Sequence, residues 1–424
     1  MQVVVVALGK IGLPLAAAIA RAGHEVVGCD IDEAVVASVN AGRAPFPGEA
    51  DLDTVLAEVV GAGRLRAVTD TTAAVADGPE LVIAVPPLMV DDAARPDWAI
   101  LDSVVADIGA GLQPGTTVSI ETTLPVGTTR ERIAPALEEA SGLTPEEGFF
   151  TVFSPERVFS GRIFADLATY PKLVGGLSET GERRGCELYG AFLTAPVWPM
   201  GSAEAAELTK LAETTYRDVN IAFANELARL ADARGLDAER VIDAANSQPF
   251  SHIHRPGIAV GGHCIPVYPR FYLEGDPDAA LPRAARAVNE AMPAYAVARL
   301  AEGLGGSLDG LRVLILGVAY RGGVQETAFS GAFATRDALE RAGAVPLAAD
   351  PLYDAEQLEA LGFTPWTGDP VDAAILQADH EDYRALSPAD LPGARAVLDG
   401  RRVLDPAAFA GSGVALLRLG APAA

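Results

Sequence analysis

Gln2-Val3-Val4-Val5-Val6-Ala7-Leu8-Gly9-Lys10-Ile11-Gly12-Leu13-Pro14-Leu15, followed by Glu25-Val26-Val27-Gly28-Cys29-Asp30, decides the fold. The valines make a β-branched run ending in a glycine turn. Residues 12–22 are rich in Ala and Leu, and Gly23 stops them, which predicts a helix. Residues 25–30 predict a second strand that ends in an acid. This is a strand–turn–helix–strand unit with a GxGxxG pattern whose first glycine is replaced by Ala7. Gly9 would let the backbone approach a pyrophosphate, and Gly12 would let the helix sit close to the strand. The helix N-terminus would face the negative charge. Asp30 lies 18 residues beyond Gly12, where a carboxylate binds ribose hydroxyls and repels a 2′-phosphate. The pattern therefore points to NAD, with Gly9, Lys10, Ile11, Gly12 and Asp30 as its contacts.

Outward from that unit, buried-type strands recur at Leu81–Val85, Thr117–Glu121 and Phe149–Phe153, with helical segments between them. Alternation of this kind predicts a doubly wound parallel sheet. Residues 202–234 predict one helix of about 48 Å, opened by Ser202 and closed by Gly235. A helix that long bridges domains or packs on a partner's copy. From Leu311 the opening order returns as strand Arg312–Gly317, a helix around Ala332–Ala342, Gly343, then Val345–Asp350. This is a second Rossmann-like unit, and Gly303–Gly310 is the joint before it. The fold class is thus α/β, with two Rossmann-like doubly wound domains joined by a long central helix and a helical middle domain.

Composition narrows the function. The chain has 424 residues, half of them apolar, and a net charge of −25. That charge repels nucleic-acid phosphates. No stretch reads as a membrane span and none as a signal peptide, which leaves the cytoplasm as the default. Cys29, Cys186 and Cys264 make no disulfide framework, and the five histidines make no ligand cluster, so no metal is expected. Only three of the 32 basic residues are lysine, Lys10, Lys172 and Lys210. Lys is kept rarely here, by accident or where a compact, deprotonatable ammonium is needed.

Four further motifs carry candidate chemistry. Val260-Gly261-Gly262-His263-Cys264-Ile265-Pro266 sets a thiol in a glycine turn with exposed N–H groups, which could activate the sulfur and bind an oxyanion. Lys210, Thr214 and Arg217 share one face of the long helix. Glu121-Thr122-Thr123-Leu124-Pro125-Val126-Gly127-Thr128-Thr129 and Ser154-Pro155-Glu156-Arg157 each follow a strand, where ligands of open α/β sheets bind.

In this order the stretches Gly9–Leu15, Glu121–Thr129, Ser154–Val158, Glu207–Leu227 and Arg255–Pro266 resemble the UDP-glucose/GDP-mannose dehydrogenase family. The subgroup most resembled oxidises UDP-N-acetylmannosamine or UDP-N-acetylglucosamine. The resemblance spans nearly the whole chain. It implies an NAD-binding domain over residues 1–200, a central helical dimerisation domain over 201–302 with the catalytic Lys and Cys, and a C-terminal nucleotide-sugar-binding domain over 303–424. It implies NAD as cofactor, a nucleotide sugar as substrate (a UDP-sugar first) and a homodimer. The C6 alcohol would lose two hydrides in turn, passing through a thiohemiacetal and a thioester on Cys264. Lys210 would stabilise the oxyanion or move a proton, while Thr123 and Glu156 would handle water and protons. Val85 and Thr123 would join the cofactor contacts. Arg157, Lys210, Arg255, Gly257, Gly261, Gly262, Tyr320 and Arg321 would hold the substrate.

The departures are specific. Thr214 stands where the family has Asn one turn after the lysine. Tyr268 stands where it has Asp four residues after the cysteine. Arg321, Glu326 and Ala328 replace Lys, Asp and Arg, and Val85-Pro86-Pro87-Leu88 replaces Val-Pro-Thr-Pro. Losing the Asp and Asn removes groups expected to orient the lysine and the hydrolytic water. Two other readings stay open: an oxidoreductase of this fold that stops at the aldehyde or takes an unusual sugar, and a catalytically weak paralogue that binds nucleotide sugars.

Overall fold

The valine run becomes strand β1 (Gln2–Val6), buried from Val3 to Val6 and flanked on both sides in an eight-stranded sheet. The others are β2 (Glu25–Cys29), β3 (Leu65–Val68), β4 (Leu81–Ala84), β5 (Thr117–Ile120), β6 (Phe150–Phe153), β7 (Lys172–Gly176) and β8 (Val197–Pro199). Their spatial order is β8-β7-β6-β5-β4-β1-β2-β3. Strands 3-2-1-4-5-6 are the order of the dinucleotide-binding fold. The chain is seen here in a computed structural model that describes every residue except Asp92, Ser160, Ala423 and Ala424.

The sheet is not parallel throughout, as the alternation had predicted. β6 and β7 pair antiparallel through Val152–Gly176 and Phe153–Gly175. Among its described residues the segment between them carries the short helix Ile163–Thr169, and a connection without a full crossover re-enters the sheet in the reverse sense. The core under this sheet comprises Val3, Val5, Leu13, Ile19, Leu81 and Ile83 among others.

Two units divide the chain. One is Met1–Glu213 with Arg270–Asp276, and the other is Thr214–Pro269 with Pro277–Ala424. In the second, β9 (Arg312–Leu316), β10 (Val345–Ala349), β11 (Ala373–Leu376), β12 (Ala396–Asp399) and β13 (Ala415–Arg418) form a parallel sheet in the order β10-β9-β11-β12-β13. Its core draws on Val313, Ile315, Ile375 and Leu398 with Met292, Ala296 and Leu300 from a flanking helix.

The long helix runs Ala203–Arg234, 32 residues, with its first turns in one unit and the rest in the other. Ser202 caps it, its Oγ accepting from the Ala205 N–H at 3.2 Å. Its buried face mixes small apolar residues such as Ala206, Leu211, Ala224 and Ala228 with polar ones, and several large apolar residues lie outside. Glu207, Thr214, Asp218 and Asn225 are buried, while Leu208, Tyr216, Phe223 and Leu230 are exposed. Buried polar groups survive because they are bonded. Among the described residues no helix is long and apolar enough to cross a membrane.

Candidate active site

The turn after β1 is built for close approach. Ala7, in the place of the first glycine, takes φ +72°, a left-handed conformation that costs a residue with a Cβ about 1 kcal/mol. A Cβ on Gly12 would lie 2.0 Å from the Ala7 carbonyl oxygen, so only glycine fits. A Cβ on Gly9 would meet nothing within 4 Å, so that backbone faces open space. No side chain caps the helix Gly12–Arg21 that follows. Within its first turn Leu13 N–H donates to the Gly9 carbonyl at 3.1 Å, Leu15 N–H donates to the Ile11 carbonyl at 3.2 Å, and Pro14 has none, so what this end offers an anion is chiefly the helix dipole. Asp30, just past β2, accepts the Leu8 and Asp32 N–H groups at 2.8 and 3.0 Å. Lys10 is exposed, and Ile11 and Val85 are half-buried along the same edge. These residues fit NAD.

The second sheet repeats the pattern but closes it. Ser330 caps its helix Gly331–Arg341, donating no space to an anion. Asp350 is buried and already accepts the N–H groups of Val318, Ala319 and Leu352 at 2.7, 3.1 and 2.9 Å, with His380 Nε2 at 3.2 Å. Three of these donors converge on Oδ2 and Leu352 takes Oδ1, so this acid is committed to its own turn, whereas Asp30 accepts one N–H on each oxygen.

At the carboxyl end of β5 and β6 the first unit gathers three expected residues. Lys210 Nζ donates to the Glu156 carbonyl oxygen at 2.5 Å. Burial pushes the Glu156 carboxyl up, but Lys172, the N–H groups of Arg157 and Val158, and Lys210 hold it below the ordinary carboxylate value. Thr123 is buried in the loop after β5. That loop is tied down twice. Thr122 Oγ1 donates to the Pro86 carbonyl at 2.5 Å, and Glu207 of the long helix accepts from Gly127 N at 2.6 Å, Thr129 N at 2.9 Å and Thr129 Oγ1 at 2.6 Å. Burial pushes Glu207 up to about 7 against those donors. Arg157, expected on the substrate, is ion-paired with Glu213 and donates to the Pro171 carbonyl at 3.2 Å.

In the second unit Cys264 is an exposed free thiol. Its turn is set by its glycines. Gly262 has φ +86° and donates its N–H to the Ala328 carbonyl at 2.8 Å. A Cβ on Gly261 would lie 2.7 Å from the Tyr320 Cβ. Tyr320 thus buttresses the thiol turn, and Arg321 Nε donates to its hydroxyl at 3.2 Å. His263 pairs with Glu326. At Ala328, where the family has Arg, the backbone carbonyl still serves the turn. Tyr268 opens the helix Tyr268–Gly275 and donates its N–H to the Cys264 carbonyl at 2.9 Å. Gly257 N donates to Asn225 Oδ1 at 3.0 Å, and Arg255 is an exposed partner of Asp243 at 2.5 Å.

Sequence reasoning missed the anchors. Glu207 and Glu121 lie inside quoted motifs, and Lys172 was one of three lysines, but no spacing showed that they are buried and bonded. Tyr189 carried no signal.

The strand order and the glycine turn define a dinucleotide-binding fold. The chain belongs to the UDP-glucose/GDP-mannose dehydrogenase family: it matches that family's NAD binding domain over residues 1–193, its central domain over 204–291 and its UDP binding domain over 314–406. It is 34% identical over 416 residues to a UDP-N-acetyl-D-mannosamine dehydrogenase of Pyrococcus horikoshii, covering 95% of this chain and 96% of that protein. It is 31% identical over 409 residues to an NDP-N-acetyl-D-galactosaminuronic acid dehydrogenase of Ralstonia solanacearum, covering 94% and 95%. Among solved structures, the UDP-D-ManNAc dehydrogenase of P. horikoshii matches with a TM-score of 0.89 at 32% identity over 99% of both chains. A UDP-glucose dehydrogenase of Pyrobaculum islandicum matches with 0.85 at 26% identity, over 96% of this chain and 98% of that one. The protein is an NAD-dependent oxidoreductase of nucleotide sugars.

Proposed function

We propose that this enzyme oxidises the C6 alcohol of a UDP-N-acetylhexosamine, UDP-N-acetylmannosamine first, to the uronic acid in two successive oxidations. The observation that carries this reading is the meeting of Lys210 and Glu156 at the carboxyl end of the NAD-binding sheet, where Lys210 Nζ lies 2.5 Å from the Glu156 carbonyl. Gly9, Lys10, Ile11, Gly12, Asp30, Val85 and Thr123 would hold NAD, which would supply the hydride acceptor for each oxidation. Lys210 stabilises the developing alkoxide as a fixed cation. Cys264 adds its sulfur to the aldehyde, so the second oxidation leaves a thioester. Glu156 takes the proton of the water whose oxygen bonds to the thioester carbon, Thr123 orients that water, and the C–S electron pair returns to Cys264. Arg157, Arg255, Gly257, Gly261, Gly262, Tyr320 and Arg321 face the nucleotide. Residues 1–200, 201–302 and 303–424 divide as cofactor, helical and nucleotide-sugar parts.

Tyr268 and Thr214 support a second reading, a single oxidation that ends at the aldehyde. A panel of UDP-, GDP- and dTDP-sugars with NAD, scored as NADH formed per sugar consumed, decides. Two NADH are expected with UDP-N-acetylmannosamine. One would move the reaction to the aldehyde, and none across the panel would overturn both.

The exposed residues Leu208, Tyr216, Phe223 and Leu230 recur at eight, seven and seven residues along the long helix. That spacing is a seam for a second helix. A homodimer follows, and sedimentation at micromolar concentration should give twice the 43.8 kDa chain mass. A monomer there would remove this part of the proposal.

A further inference from the structure

Behind Glu156 the first unit buries a cation between two carboxylates. Lys172 opens β7 with its side chain 5% exposed. Its Nζ lies 2.7 Å from Glu121 Oε2 and 3.3 Å from Glu156 Oε2. Glu121 stands at the end of β5 with its side chain wholly buried. Its other oxygen receives the Tyr189 hydroxyl, which shares a 2.8 Å hydrogen bond with Ser119. The other Glu156 oxygen receives the N–H groups of Arg157 and Val158 at 2.5 and 2.9 Å. Glu156 Oε1 is therefore fixed by backbone, and Oε2 is the oxygen that faces the shared ammonium.

A buried ammonium is expensive and is kept where its partners need it. In a chain that uses arginine almost everywhere, a lysine here is informative. Arg binds one carboxylate as a planar fork, whereas an ammonium is a point charge that two carboxylates share from different directions. We infer that Lys172 is a positioning residue for Glu156: its ammonium, divided between Glu121 and Glu156, orients the Glu156 carboxylate and sets how readily Oε2 takes up a proton during turnover. This rests on the reading of Glu156 as the group that receives the proton of the hydrolytic water. When that O–H bond breaks, the proton goes to Oε2 and Glu156 becomes neutral. Lys172 then pairs with Glu121 alone, so no charge is stranded. When the proton leaves, the ammonium is shared again.

The groups that face Glu156 are of both signs. Lys172, Glu121 and Tyr189 lie behind it, and Lys210 reaches it from the long helix. Arg157, neutralised by Glu213, flanks it, and Asp166 and Tyr170 line a small cavity with it. Asp166 is itself paired with Arg162. Burial pushes Glu121 above the ordinary carboxylate value, against the pull of Lys172, and Glu156 is held below it. The ammonium thus serves the two acids unequally, and altering either side should change the other.

The test is the pH profile of kcat for uronate formation by the full-length enzyme with NAD and UDP-N-acetylmannosamine. In Glu121→Gln the whole cation falls to Glu156, and the acidic limb should move down by about one pH unit. In Lys172→Met it should move up by about one unit or more, and Lys172→Arg should bring it back part of the way. Shifts of opposite sign are the signature. If the limb stays where it is in Glu121→Gln, or moves the same way in both, Lys172 only holds the fold. Should Lys172→Met fail to fold, the near-isosteric Glu121→Gln decides alone. A carboxyl titration of ¹³C-glutamate-labelled protein without cofactor, with the Glu156 signal assigned by its loss in Glu156→Gln, should show the same shifts. Failure of the parent reading looks different: the acidic limb of the rate would survive in Glu156→Gln itself.

Discussion

Cys264→Ala is expected to lower uronate formation by on the order of a thousandfold or more, the scale on which removing a covalent nucleophile acts. The thiol is exposed and bonded to no other cysteine. Its turn is held by the Gly262 N–H on the Ala328 carbonyl and by Tyr320 against Gly261, none of which the sulfur supplies. An exposed Cys→Ala change should therefore cost stability less than about 0.5 kcal/mol. A folded, cofactor-binding protein that makes no acid is the expected pair of results. The first hydride needs no sulfur, so a trace of aldehyde with one NADH is compatible with the loss. Acid formed at the parent rate would remove the covalent route.

The second large effect is on folding. Asp218, wholly buried on the long helix, accepts Arg286 Nε at 2.7 Å and a second guanidinium N–H, and it also accepts Asn289 Nδ2 at 2.7 Å. Asn289 in turn accepts from Asn225 Nδ2 at 2.9 Å, and Asn225 holds the Gly257 N–H at 3.0 Å. Asp218→Ala strands a buried guanidinium, and breaking a buried pair from one side costs about 3–5 kcal/mol. For a unit of this size that is a fall in Tm of roughly 10 °C. Asp218→Leu combined with Arg286→Met should recover most of it, because no charge is then left alone. A single variant that melts with the parent would show that the cluster contributes nothing. Calorimetry reads both.

The opening unit was legible because its constraints are local. A valine run, Gly12 and Asp30 occupy positions where backbone geometry admits few alternatives, whereas the order of the strands emerges only in the folded sheet. The long helix was legible in length and caps but not in facing. Its apolar periodicity at Leu208, Phe223 and Leu230 marks the exposed side, while Asp218 and Asn225 are inside because Arg286 and Asn289, more than sixty residues on, satisfy them. No window of sequence contains that pairing. The antiparallel join of β6 to β7 was hidden for a like reason, since strand direction depends on where the connection spends its length. At the site, the motifs named Glu156 and Lys210 but not what holds them. Lys172 and Tyr189 act through contacts made across β5, β6 and β7, and only their scarcity or burial marks them.

The arginine bias also fixes how the protein meets reagents that attack amines. Lys172 is sealed in its cluster and Lys210 is half-buried on the Glu156 carbonyl. Lys10 is the lysine exposed to solvent, and it sits in the glycine turn where the pyrophosphate would lie. Acylating dyes, crosslinkers and acetyl donors therefore find their accessible side-chain target inside the cofactor cradle, so labelling becomes a footprint of cofactor occupancy.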